Sequence, residues 1–536
     1  MKLSGRRCMH CLLSIACLLW VMTPAFADNM INAPRVIHEL KHDVSAPLSE
    51  MALKVGPAQG PLFEKPERRP AAGFFHQAPG IDAVVQEEYL PNISTTKLLN
   101  FDGTNSRQAG GVDPPDTNGS VGTRQFVEIT NFAYEVFDKT NGHILLAPTP
   151  INTIWHGFGG LCETNNGGDP VALWDKLAER WFVSQLSYTN KFDTFDLCIA
   201  VSKTADATGA YNRYAFSTGR NLPDYPKYAV WPDAYYGTNN GGGGSGAEPC
   251  AFDRKAMLAG KKAIMICFSP GPSTFGFLPS DLDGSTQPPS GAPNHYVELG
   301  NLTNELNEFD FHVDFSHPKR STFTGPNAIK VPNYILICND GGNFACVPQP
   351  DPGEKVDSLS GLLMFRLAYR NFRDHESMVV AHAVQPGKGS TATVATRWYE
   401  LRAAPPGSQF ALYQSGTFQH KTDNLWMASV AMDKQGDIAM GMSVDNSAKL
   451  DTSVWYTGRV PTDPLGKMET PTLVVKGSAI QVNGGNRWGD YSSMSIDPTD
   501  DCTFWFAQEY YNKKNGGSQS SDWTTRLASF KFNGCN

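Results

Sequence analysis

Two short stretches hold most of the side chains able to do chemistry. The first, "RWGDYSSMSIDPTDDCTFWF" from Arg487 to Phe506, sets Asp490 between a Trp-Gly pair and Tyr491. The second, "YRNFRDHES" from Tyr369 to Ser377, gathers two arginines, a tyrosine, a histidine and two acids in nine residues. Carboxyl pairs of this kind suit glycoside chemistry, in which one group donates to the leaving oxygen and the other attacks or activates water. Asp490, Tyr491, Glu376, Asp224 and His375 are the candidate catalytic groups. Arg487 would clamp a carboxylate, and Trp488 would stack on a sugar face. Tyr225, Trp426, Tyr369 and Arg370 complete the candidate substrate contacts. In a lyase acting on uronic sugars, His375 would be the base, Tyr369 the acid, and Arg366, Arg370 or Arg373 the charge neutraliser. The plainer reading of the second stretch is a salt-bridged loop. Asp175, Asp233, Asp433 and Asp497 read as hairpin-turn formers. No G-x-S-x-G elbow and no H-E-x-x-H occurs. In "FHVDFSHP", His312 and His317 fall on opposite faces of a strand and read as structural.

These residues must be positioned by something that brings distant segments together, and a weak internal repeat supplies it. Each copy has an acidic or aromatic residue, a short apolar run, an aspartate-bearing turn and a second aromatic run. Copies open at Asp116, Asp169, Asp224, Glu376, Trp426 and Asp490, with a poorer one near Asp281. All but one of the intervals between them are 50–64 residues, the size of one four-stranded propeller blade. The interval from Asp281 to Glu376 is longer, with an insertion expected at 317–360. The expected fold is therefore all-β, a β-propeller of seven blades over 93–536, with each acid-led run innermost. The rival is a pair of β-sandwiches, which carry no such higher-order repeat. "STTKLLNFDG" is expected to complete the last blade beside "TTRLASFKF".

Under that alignment the opening acids form a ring at one mouth of the central channel. Two unit charges about 10 Å apart repel by roughly 1.7 kcal/mol at an effective dielectric of about 20. A cation, a nearby Arg or Lys, or protonation must relieve them. Calcium held by Asp116 and Asp169 is the expected cofactor. A repeated aspartate at a strand start is also an ordinary scaffold element, bonding nearby backbone N–H groups.

"DPPDTNGSVG", "GGDPVALWD", "DYPKYAVWPD", "YRNFRDHES" and "RWGDYSSMSIDPTDDCTFW" resemble segments of a largely uncharacterised group of secreted bacterial proteins with propeller-like, distantly sialidase-like character. The resemblance spans roughly 110–535 and implies fold and export, without catalytic assignments. The sialidase box Ser-x-Asp-x-Gly-x-Thr-Trp is absent; Ser280–Thr286 comes nearest, with Leu282 where the aspartate belongs.

Bulk features agree with export. Residues 1–27 read as a signal peptide: Lys2, Arg6 and Arg7, an apolar run, then Ala25-Phe26-Ala27. Its removal takes the formal charge from −8 to about −11. With no basic block, nucleic acid is excluded as a partner. Residues 28–92 are proline-rich and read as a flexible lead. No later stretch is long and apolar enough to span a bilayer as a helix. Of 11 cysteines, eight follow the signal, consistent with four disulfides in an oxidising compartment. Sequential pairing, Cys162–Cys198, Cys250–Cys267, Cys338–Cys346 and Cys502–Cys535, is the expected pattern. The expected function is a secreted monomer, at the periplasm, cell surface or medium, that acts on a polysaccharide or glycoconjugate as hydrolase or lyase. The alternative is a non-catalytic carbohydrate- or protein-binding or adhesion module.

Overall fold

A computed structural model describes residues 33–56, 70, 73–91, 95–241, 246–338, 345–388, 390–482, 484–516, 519–520 and 522–536. The expected signal peptide lies outside the described residues, as do 28–32, 57–69, 71–72 and 92 of the expected lead.

Antiparallel strands recur in four-strand units, all β-meanders except the last, whose outer strand comes from the N-terminal side of the chain. The first strands of successive units are Asn118–Val121, Val171–Asp175, Asp224–Val230, Leu278–Leu282, Met364–Asn371, Asn424–Met432 and Ser493–Ile496. Each of these strands contacts the next, and Ser493–Ile496 contacts Asn118–Val121, so the inner strands close on themselves. The fold is the β-propeller that the repeat implies. At one place the closure is a true parallel ladder: Ser280, Asp281 and Leu282 pair with Leu367, Ala368 and Tyr369.

Burial explains the sequence texture. The second strands, such as Gln125–Thr130, Glu376–Val384 and Phe504–Tyr511, are buried throughout, because neighbouring units cover both faces. They read as continuous apolar runs with few polar interruptions. The outer strand Ile144–Pro150 is only partly covered, with Ile144 and Leu145 exposed and Leu146 and Thr149 buried. Between the first and last units, Val121, Phe126, Phe137, Trp505, Ala507 and Leu527 form one cluster. In it, Phe126 stacks on Trp505 at 5.0 Å between ring centroids. Burying each such aromatic contributes on the order of 2–3 kcal/mol relative to exposure.

The two ends of the described propeller are fastened together. Thr95–Asn105 pairs antiparallel with Trp523–Phe532 and supplies the outer strand of the last unit, as expected. The N-terminal segment also contributes edges. Arg35–His38 adds to the third unit beside Ile264–Cys267, and Lys41–Val44 adds to the second beside Tyr211–Gly219. Val85–Gln86 pairs in parallel with the outer strand of the fifth. These additions cover strand edges that would otherwise be open to pairing. All four disulfides join the cysteines in sequential order.

The fifth unit differs from its expected alignment. Its inner strand is Met364–Asn371, and Glu376 opens the second strand, paired with Asn371. The chain between the fourth and fifth units runs through Ala345–Val347 and Val356–Asp357. Val347, Val356 and Leu359 pack there in one cluster with Tyr225, Trp426, Trp488 and Tyr491.

Candidate functional site

Four of the five ring acids do meet at one mouth of the channel. Asp116, Asp169, Asp224 and Asp490 precede or open inner strands, and all are buried. The local reason is conformational: Asp116 and Asp169 take left-handed φ of 48° and 47°, as do Tyr225 and Met427 at 55° and 50°. Aspartate tolerates that conformation better than most residues. The repeat position is thus a backbone bend, and in two units it falls one residue after the expected opening residue.

The acids are tied into the frame. The Asp490 amide donates to Asp116 Oδ1 at 3.1 Å. The Tyr225 amide donates to Asp169 Oδ2 at 2.9 Å. Tyr225 Oη donates to the Asp490 carbonyl at 3.2 Å, and Tyr491 Oη to the Pro170 carbonyl at 3.1 Å. Arg487 bridges Asp490 Oδ1 at 2.6 Å and Asp357 Oδ2 at 2.9 Å.

The charge relief expected of a cation comes in part from a residue that the sequence reading missed. Lys227 is fully buried, with Nζ 3.4 Å from the Tyr225 ring centroid and 3.8 Å from that of Tyr491. Burial pulls its pKa down to about 8 against the opposing pull of Asp169, Asp116, Asp490 and Asp224. Asp116 is pushed well above the usual carboxylate range by burial and then by Asp490 and Asp169. Its Oδ2 is buried without a hydrogen-bond donor. Glu509, which accepts from the Gly489 amide, is likewise raised by burial. Asp113 is pushed to about 8 by burial, then by Asp522 and Glu354. A lone lysine in the otherwise buried run "DYPKYAV" was the available signal.

The aromatic residues expected at the mouth are core. Trp488 is fully buried, donates Nε1 to Ser443 Oγ at 3.1 Å, and packs between Trp426 and Tyr511. Trp426 is also fully buried. Neither indole offers a face to a sugar.

The second stretch lies at the other end of the channel. Glu376 pairs with the last residue of its inner strand, whereas Asp490 precedes the first residue of its own. The expectation that Glu376 and its neighbour His375 sit at the same mouth as Asp490 is therefore corrected: a strand's length separates them. Arg370 grips Asp501 through both oxygens at 2.7 Å. His375 Nδ1 lies 2.9 Å from Asp374 Oδ1, and its ring stacks on Phe372. Tyr369 is buried and donates to Glu376, which also accepts from the Gly407 amide.

Glu376 instead borders a cleft of about 700 Å³ between the fourth and fifth units. Its walls include His295, Glu308, Asp310, Asn327, Gln409 and Phe410. Strand register builds the acidic wall: His295 lies directly across from Asp310, and Glu308 precedes Asp310 by two on the same strand. His295 Nδ1 is 2.8 Å from Glu308 Oε1 and 2.8 Å from Asp310 Oδ1. Burial lowers the imidazole pKa, but the facing carboxylates of Asp310 and Glu308 outweigh it and lift the group to about 10. The alternation in "NEFDFH" carries two of these three residues in the sequence; His295 comes from the neighbouring strand. Two other groups with metal-ligand spacing, Glu248/Cys250/Cys267 and Asp433/Cys502/Cys535, contain disulfide-bonded cysteines and so offer no thiolate.

No protein-family model matches the chain, and no curated protein matches it. Among solved structures, the α-L-arabinofuranosidase Arb93A of Fusarium graminearum aligns at 9% identity, over 78% of this chain and 95% of its own, with a TM-score of 0.33. The GH43 endo-arabinanase of Bacillus licheniformis aligns at 8% identity, over 66% and 97%, with a TM-score of 0.29. The polysaccharide lyase Uly1 aligns at 9% identity, over 83% and 100%, with a TM-score of 0.27. At these scores the fold assignment rests on the strand pairing itself. Among the described residues, no helix is long and apolar enough to cross a membrane.

Proposed function

We propose that the protein is an exported, monomeric, seven-bladed propeller that binds a polysaccharide or glycoconjugate in the cleft between its fourth and fifth units. The cleft is the observation that carries this reading. Its volume of about 700 Å³ accommodates several sugar rings. Carboxylates, amides and the Ser290 and Ser408 residues along its walls match sugar hydroxyls, and Phe410 offers an apolar ring. The signal-like leader and the four disulfides support export. Binding is favoured over turnover because the two catalytic clusters read from the sequence do not share a cavity. The test is affinity electrophoresis of the purified protein through a panel of polysaccharides, with product analysis alongside. The reading expects retardation by at least one polysaccharide and loss of that retardation in Phe410→Ala. Retardation that persists in Phe410→Ala would remove the cleft as the seat.

A second reading places calcium at the mouth, on Asp116 and Asp169, favoured by the undonated Asp116 Oδ2. Chelation would then lower the melting temperature, and an unchanged transition would end it.

A further inference from the structure

The acidic wall of the cleft has a geometry that sugar recognition does not require. His295 Nδ1 faces two carboxylate oxygens at once, each at 2.8 Å. An Nδ1 atom carries at most one hydrogen, so one of these contacts has no proton to serve it. Asp310 Oδ1 is accordingly buried without a hydrogen-bond donor. The Nδ1 and one oxygen from each carboxylate all lie within 4.8 Å of one another. Ligand atoms sharing one tetrahedral zinc ion, each about 2.1 Å from it, stand about 3.4 Å apart. The two N···O separations of 2.8 Å are shorter, so the three groups would part by about 0.6 Å to admit the ion.

The surroundings hold these groups in place. The His295 ring meets Phe410 edge-to-face at 4.7 Å between centroids and Trp231 at 6.5 Å. The Asn327 amide donates to the other Glu308 oxygen, at 3.4 Å. Hydrogen bonds of this kind to a ligating carboxylate fix its orientation. The cleft leaves room beside the three ligands for water or a ligand hydroxyl.

We propose that His295, Glu308 and Asp310 form a divalent transition-metal site of the zinc class on the cleft wall. One imidazole and two carboxylates make a nitrogen–oxygen ligand set that suits zinc better than calcium, which prefers six to eight oxygens. Zinc with three protein ligands keeps an open position, which here faces the cleft.

The experiment is a calorimetric titration of chelator-treated, full-length protein with zinc chloride, with metal analysis of the dialysed product and no glycan present. The expected result is one equivalent of zinc per chain. His295→Ala is expected to weaken binding at least 100-fold and Asp310→Asn at least 10-fold, both with unchanged circular dichroism. His312→Ala, one strand end away, is expected to bind as the wild type does. Absence of saturable binding, or equal binding by His295→Ala and wild type, would overturn the proposal. Because no glycan enters the titration, either result leaves the polysaccharide reading to its own test.

Discussion

The two ends of the channel settle most of their charges differently. At the turn end, several acids meet a cation from another unit, while Asp433 is pushed up to about 8 by burial and then by Asp437. Arg366 reaches Asp281 and Asp283 of the neighbouring unit and donates Nε to the Met494 carbonyl. Lys176 adds to Asp283 at 2.9 Å, Lys139 holds Asp497 at 2.6 Å, and Arg254 holds Asp175 at 2.7 Å. These pairs are staples between units. At the mouth, acids outnumber cations: Asp113, Asp116, Asp169, Asp224, Asp490 and Glu509 gather near Lys227 and Arg487. There the protein relies on raised carboxyl pKa values as much as on pairing. A cluster of perturbed acids can therefore be a feature of a buried hub, and perturbation alone does not mark a catalyst.

Removing the central cation should have the largest effect. Lys227→Met leaves the mouth acids facing one another in a buried site and should cost about 3–5 kcal/mol in urea unfolding. Adding Asp169→Asn to that variant should recover part of the loss; no recovery would separate Lys227 from the acids. Arg366→Met should cost somewhat less, about 3 kcal/mol, since Asp283 keeps Lys176. Asp490→Asn should change stability by only about 1 kcal/mol, because Arg487 retains Asp357 while repulsion toward Asp116 falls.

The ends should also differ in pH response. The Asp113 carboxyl, at about 8 in the folded chain against an ordinary 3.8, holds a proton that the unfolded chain has released. Its stabilising contribution is complete below about 3.8 and is lost as pH rises toward 8. Asp283 has the opposite sign. Burial would raise it, but Arg366, Lys176 and Arg370 overcome that and hold it at about 2. Its contribution is present above 3.8 and is lost as pH falls toward 2. Unfolding free energies of wild type minus Asp113→Asn should therefore fall between pH 4 and 8, and those of wild type minus Asp283→Asn should fall below pH 4.

The propeller was legible because each wedge must bury both faces of its inner strands, which forces a recurring apolar run at a regular interval. The strand clasp and the disulfide order were legible for related reasons of local texture. The fifth unit was misread because acids and aromatics marked the repeat, whereas the position common to four units is a left-handed backbone bend. That bend falls on Asp116 and Asp169, but on Tyr225 and Met427 in two other units. Glu376 stands at the opposite end of the channel from the acids with which the repeat grouped it. Lys227 hid as a single charge inside a strand, and its importance appears only when three distant segments converge on it. The His295, Glu308 and Asp310 cluster depends on register between two strands, which spacing along one strand cannot show.

The most direct test of the division between hub and cleft compares Asp490→Asn with Glu376→Gln on the polysaccharide that retards the wild type. The cleft reading predicts that Asp490→Asn is retarded as the wild type is and that Glu376→Gln loses retardation. Loss in Asp490→Asn, with Glu376→Gln unaffected and both variants folded, would return the ligand to the mouth and contradict it.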